Sequence, residues 1–152
     1  MTLRLIHWLA SKLQRRDIPN EYGDIYLERY RILGWMPGAK TRLPIGVYLH
    51  RIRLADSDPA LHSHPWKWAL SFVLSGRYNE ERRLADDRVV TRRVRWLNWL
   101  RGESFHRIDS LDGEVWTLFI TGPKAGSWGF RVNGETVPWR ERLKQRGIQP
   151  EF

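Results

Sequence analysis

Cysteine is absent from this chain of 152 residues. That removes disulfides, thiolate metal sites and cysteine nucleophiles together, and leaves His, Asp and Glu as the side chains able to hold a metal ion. Long apolar runs are absent as well. None approaches the roughly 20 residues needed to cross a bilayer, so no membrane partner is expected. The opening MTLRLIHWLASKLQRR has its apolar stretch broken by His7 and Lys12 and lacks a small-x-small cleavage site, so no export leader is expected and the expected location is cytoplasmic. There is no Gly-rich phosphate loop, no G-x-S-x-G elbow and no H-E-x-x-H pair, which removes the hydrolase readings built on them. Internal repeats and low-complexity tracts are missing too. Acid is in short supply: 26 Lys+Arg face 17 Asp+Glu, for a net charge of 26 − 17 = +9. That surplus, mostly arginine, suits an anionic small molecule or a nucleic acid, but charge alone names neither.

What is present is enough for one folded domain. The length suits a single core, and 41% hydrophobic with 12% aromatic residues is the composition of a globule, not of a disordered basic tail. Leu3, Ile6, Ala10 and Leu13 recur at helical spacing behind Thr2, a residue type that caps helices, so an amphipathic helix is expected over residues 1–17. It offers a surface to the chain's own sheet or to a second copy in a homodimer. Residues 18–137 read as strands. DIYLERYRILGW alternates, MPGAKTRLP breaks the chain, and GVYLHRIRL puts Tyr48, His50 and Ile52 on one face with Arg51 and Arg53 on the other. WALSFVLSGRYNEERR runs into a turn at Ala85 to Arg88 and pairs with RVVTRRVRWLNWL, read as one strand. VWTLFITG and SWGFRV follow, and Asn133-Gly134 signals a tight hairpin. Pro138 and Gly147 bracket a short basic helix within residues 138–152. Many short strands with helix only at the ends predict an all-β fold, a sandwich or small barrel.

The histidines carry the chemistry. His62 and His64 in LHSHPW are one residue apart, so on an extended chain both imidazoles face one side and can converge on one ion. His106 in RGESFHRID follows a strand and a turn, where an antiparallel neighbour would bring it beside them. Three neutral imidazoles with open positions suit Fe(II), Zn, Ni, Mn or Cu, whereas Mg and Ca prefer oxygen.

This pattern resembles the cupin superfamily, which binds metal in a small double-stranded β-barrel of jelly-roll type through a His-x-His pair on one strand and a later His on another. LHSHPWKWALSFVLSGRYNEE, RGESFHRI, VWTLFITGPKAGSWGF and VPWRE together are similar to small cupin-type proteins of bacteria and phages, over most of residues 22–141. The resemblance implies Gly76 at the motif glycine and Ala69 where the usual fourth ligand, a Glu, would stand. Keeping three His without that Glu resembles the thiol dioxygenases, and implies one divalent transition metal, Fe(II) first, on His62, His64 and His106 in an oxygenase-type site. Tyr78 is expected to donate a proton or hydrogen bond to substrate, and Glu80 and Glu81 to be surface partners of arginines. Tyr48, His50, Trp66, Thr117 and Phe119 are expected to line a pocket for a small organic molecule. The alternative is a non-catalytic cupin that sequesters an anionic nucleotide or sugar phosphate, or contacts nucleic acid through its arginines.

Overall fold

The structure is a computed structural model and describes residues 2–35 and 43–148. The Pro-Gly break expected in MPGAKTRLP lies largely outside the described residues, as does the end of the C-terminal tail. The chain begins with helix α1 (Leu3–Ala10), then strands β1 (Gln14–Pro19), β2 (Ile25–Leu33), β3 (Gly46–Ile52), β4 (Leu61–His62) and β5 (Trp68–Arg83). It continues with β6 (Val89–Val94), β7 (Leu97–Arg101), β8 (His106–Thr121), β9 (Gly129–Val132), β10 (Glu135–Pro138) and helix α2 (Trp139–Gln145). All the pairings are antiparallel, and the result is the all-β jelly-roll barrel with a short helix at each end. Among the described residues no helix is long and apolar enough to cross a membrane.

Two 16-residue strands, β5 and β8, pair along nearly their whole length and form the spine. On its other edge β5 takes β7 along its first half and β6 along its second, while β8 takes β3 at its C-terminal end and β4 at its start. A spine that long must bend, and the register slips between Val73 and Arg77. Gly76 makes the bend possible. Its φ is +65°, and a Cβ there would lie 2.7 Å from the Glu114 carbonyl oxygen, so only glycine fits.

RVVTRRVRWLNWL is two strands, not one. It turns at Arg95-Trp96 so that β6 and β7 can each follow one side of the bend in β5. The N-terminal helix is also shorter than its periodicity suggests, because residues from Gln14 onward gain ladder hydrogen bonds with β2 as strand β1. Thr2 makes no side-chain cap; its carbonyl accepts the Leu5 and Ile6 N–H groups instead. The hairpin at Asn133-Gly134 forms with positive φ at both residues, as a tight turn between β9 and β10 requires.

Successive residues of each strand face opposite sides, and the two sides have different coverings. Outside the barrel, α1 lays Ile6 and Ala10 against Tyr30, Leu49 and Trp116. Inside, one cluster joins Tyr48, Ala69, Leu100 and Phe119, with Trp66 at its margin, and a second joins Val73, Tyr78, Val94 and Val115.

Candidate metal centre

His106, the first residue of β8, pairs directly opposite His62 of β4. Between His62 and His64 the Ser63 N–H donates to the Gly129 carbonyl of β9 at 2.9 Å, and the two histidines, one residue apart, turn their rings to the same place. The three imidazoles converge: ring centroids lie 5.2 Å apart for His62 and His64, and 5.0 Å for each of these with His106. One ligand atom from each of the three lies within 4.8 Å of the others, and the Nε2 atoms of His64 and His106 are 2.8 Å apart. These are the three residues that the spacing singled out.

Two of the three histidines have an acid beside Nδ1. His106 Nδ1 lies 2.6 Å from Glu80 Oε1, although its N–H is not directed straight along that line. His62 Nδ1 lies 4.0 Å from Asp56 Oδ2, whose own place is fixed by the Ile108 N–H at 2.6 Å. A carboxylate behind a histidine holds the proton on Nδ1 and leaves Nε2 as a lone-pair donor, the arrangement metal-binding histidines use. Burial adds to this. It pushes the His64 pKa well below its ordinary value, helped by His106 and His62, and it lowers His62 against the opposing pull of Asp56. Convergent imidazoles, with His62 and His64 biased toward the neutral form, are a donor set that fits a transition-metal cation.

Glu80 is not a surface residue. It is 0% exposed, and besides facing His106 it accepts from Arg82 Nη2 at 2.9 Å and Arg92 Nε at 2.8 Å. Burial would raise its pKa, but His106, Arg82 and Arg92 outweigh that and hold the carboxyl well below the usual carboxylate range. Alternation along β5 could have revealed this, since Glu80 stands two residues from Tyr78 and shares its inward face. The same two arginines reach Asn98 Oδ1, and Asn98 Nδ2 donates to the Tyr78 hydroxyl at 3.0 Å. Tyr78 is therefore packed among Val73, Val94 and Val115, and is linked to the triad through Asn98, the arginines and Glu80. Burial pushes its pKa up to about 12, so the hydroxyl stays protonated at neutral pH.

The expected pocket residues form a connected set of rings. His50 stacks on Phe119 at 4.7 Å and on Tyr48 at 6.0 Å, Phe119 lies edge-on to Trp66 at 5.7 Å, and Trp66 stacks on His64 at 5.4 Å. Thr117 is buried and pairs opposite His50. An open groove of about 300 Å³ reaches His64 and Trp66 from outside, walled by Gly102, Glu103 and Gly126. Trp128 closes the other flank, 6.1 Å from His62, and is itself stacked on Trp139 of α2. Ala69, where the resemblance would put a Glu ligand, is sealed in the apolar cluster with Tyr48 and Leu100. Many arginines of the 82–107 region are held by acids: Arg83 by Asp87, Arg93 by Asp112 and Arg107 by Glu81.

Comparison with known proteins finds no matching family model and no matching curated protein. Solved structures do match. Oxalate decarboxylase from Bacillus subtilis, solved at pH 4.6, superposes with a TM-score of 0.55 at 10% identity, over 92% of this chain and 36% of that one. A second structure of the same enzyme, from a study of the EPR parameters of its Mn(II) centres, gives 0.54 at 11% identity with the same coverage. The chain thus spans 36% of the length of these neighbours. At such identity the likeness concerns the fold alone, a jelly-roll barrel like that of these structures, and in this chain the barrel carries a three-histidine group that could hold a metal ion.

Proposed function

We propose that this cupin binds one divalent transition metal on His62, His64 and His106 and uses it on a small, anionic organic molecule in an oxygenase-type reaction, with Fe(II) or Mn(II) as the metal. The observation that carries the reading is the convergence of three imidazoles, His106 buried and His62 and His64 half-buried, with Glu80 behind His106. A metal held there supplies Lewis acidity and, as Fe(II), the capacity to activate dioxygen. The chain's own residues supply the rest. Glu80 backs the His106 ring at 2.6 Å, and Asp56 places a negative charge 4.0 Å from His62 Nδ1. Trp66 and Phe119 keep the inner side of the triad dry, while the groove past His64 admits the substrate. Ala69 offers no fourth ligand, which leaves coordination positions for substrate and a small gas molecule.

Anaerobic reconstitution with Fe(II) followed by nitric oxide tests this reading. A high-spin iron–nitrosyl EPR signal is expected, and its loss in His64→Ala. Iron that binds but gives no nitrosyl signal would contradict an oxygenase-type site. A second reading, a non-catalytic barrel that retains a nucleotide or sugar phosphate, draws support from the arginine excess; it requires ligand capture with no oxygen consumed.

A further inference from the structure

Strands β1, β2 and β3 bear arginines on both faces, and the two faces are neutralised differently. On the outer face Glu28, buried at 3% exposure, collects Arg15, Arg51 and Arg53 at 3.4, 3.7 and 3.0 Å. On the inner face, Arg16 pairs opposite Arg29, Arg29 opposite His50, and His50 opposite Thr117. Directly opposed residues share a face, so two guanidiniums stand side by side where the outer face would have its acid. Among the described residues no carboxylate pairs with either of them. Arg29 Nε donates to His50 Nε2 at 3.0 Å, and its guanidinium lies 5.1 Å from the centroid of the Tyr48 ring. Both of its terminal Nη groups are left without a protein acceptor among the described residues. Burial lowers the Arg29 pKa, and the Arg16 charge adds to the effect.

Like charges directly opposed on neighbouring strands destabilise a sheet, and half-buried ones do so more. An unneutralised pair on the inner face calls for an anion from outside. Two positive charges match a phosphate monoester, which carries about −1.5 to −2 at pH 7 and three acceptor oxygens, better than a single carboxylate. The location suits a substrate: His50, which anchors Arg29, stacks on Phe119, and Phe119 lies 6.5 Å from the His64 ring.

We propose that Arg16 and Arg29 form an anion subsite on the inner face of β1 and β2 that holds the phosphate of a small phosphomonoester whose other end reaches the histidine triad. The link to chemistry rests on the metal-binding reading above; the anion subsite itself does not. The test is calorimetric titration of the full chain, metal-free and metal-loaded, with methyl phosphate, and with acetate as the carboxylate control. Methyl phosphate is expected to bind both forms. Arg16→Gln and Arg29→Gln should each weaken it about tenfold or more, with metal content unchanged, whereas Arg95→Gln should leave it unaltered. Methyl phosphate should raise the melting temperature of the natural chain and not that of Arg16→Gln. Folded protein that does not bind methyl phosphate, equal binding by Arg16→Gln, or acetate binding as tightly would each overturn the proposal. If Arg29→Gln does not fold, Arg16→Gln on the edge strand decides alone. Phosphate binding without metal uptake would remove the metal reading and leave this one standing; metal uptake without phosphate binding would do the reverse.

Discussion

Glu80 Oε1 sits 2.6 Å from His106 Nδ1, and the same fully buried carboxylate is shared by Arg82 and Arg92. The acid therefore stands behind a candidate ligand histidine and balances two guanidiniums at once. Glu80→Gln keeps the shape and removes the charge. Metal affinity should fall about 10- to 100-fold, as for other lost carboxylate partners of metal-bound histidines. Stability should fall by about 3 kcal/mol, because the arginines lose their buried counter-charge. Competition titration against a chelator and denaturant unfolding measure the two effects separately.

Gly76 and Gly113 both have positive φ, +65° and +80°, and face one another across the spine. A Cβ on Gly76 meets the Glu114 carbonyl oxygen at 2.7 Å, while on Gly113 its nearest neighbour is Gly76 Cα at 3.7 Å. Gly113→Ala should thus cost only the backbone term, about 1 kcal/mol, and Gly76→Ala about 2–3 kcal/mol. Equal melting temperatures for the two variants would contradict this account of the bend.

Acid should unfold the metal-free protein in two limbs. Unfolded imidazoles titrate near pH 6.5, and burial holds His64 and His62 below that in the fold. Below about pH 6.5 the unfolded chain therefore binds protons that the folded chain does not, so their stability is present above that pH and drains away as pH falls toward the folded values. Glu80 and Asp58 supply the second limb. Burial opposes ionisation of both, but His106, Arg82 and Arg92 outweigh that at Glu80, and Arg142 and Arg146 at Asp58, so both pKa values are lowered and the contribution is present above about pH 4 and is lost at more acid pH. Melting temperature against pH should show both limbs, and His64→Gln should flatten only the upper one.

Asp58 also anchors the C-terminal helix. Arg142 Nε and Nη2 each lie 2.9 Å from its carboxylate, and Arg146 Nη1 lies 3.0 Å away. Asp58→Ala should free α2, increase proteolysis after Arg140, and unstack Trp139 from Trp128 beside His62. Tryptophan fluorescence and limited proteolysis read this directly.

The alternating strands, the two end helices and the His62, His64, His106 set were legible in the sequence because each depends on local periodicity or on a spacing of a few residues. Glu80 was misread because a charged residue among arginines looks like surface; alternation with Tyr78 points it inward, but its place beneath His106 is set by the long-range register of β5 with β8. The Arg16, Arg29, His50 row was hidden for the same reason, since nothing local sets the register of three strands. The division of RVVTRRVRWLNWL depends on the bend at Gly76 in a different strand.

Whether His62, His64 and His106 hold a metal ion is decided by elemental analysis of the gently purified full chain. The expectation is close to one transition-metal ion per chain, lost in His62→Ala and in His106→Ala with the fold retained. A fully folded natural chain that carries no metal and takes up none of Fe(II), Mn(II), Co(II) or Zn(II) after reconstitution would contradict it.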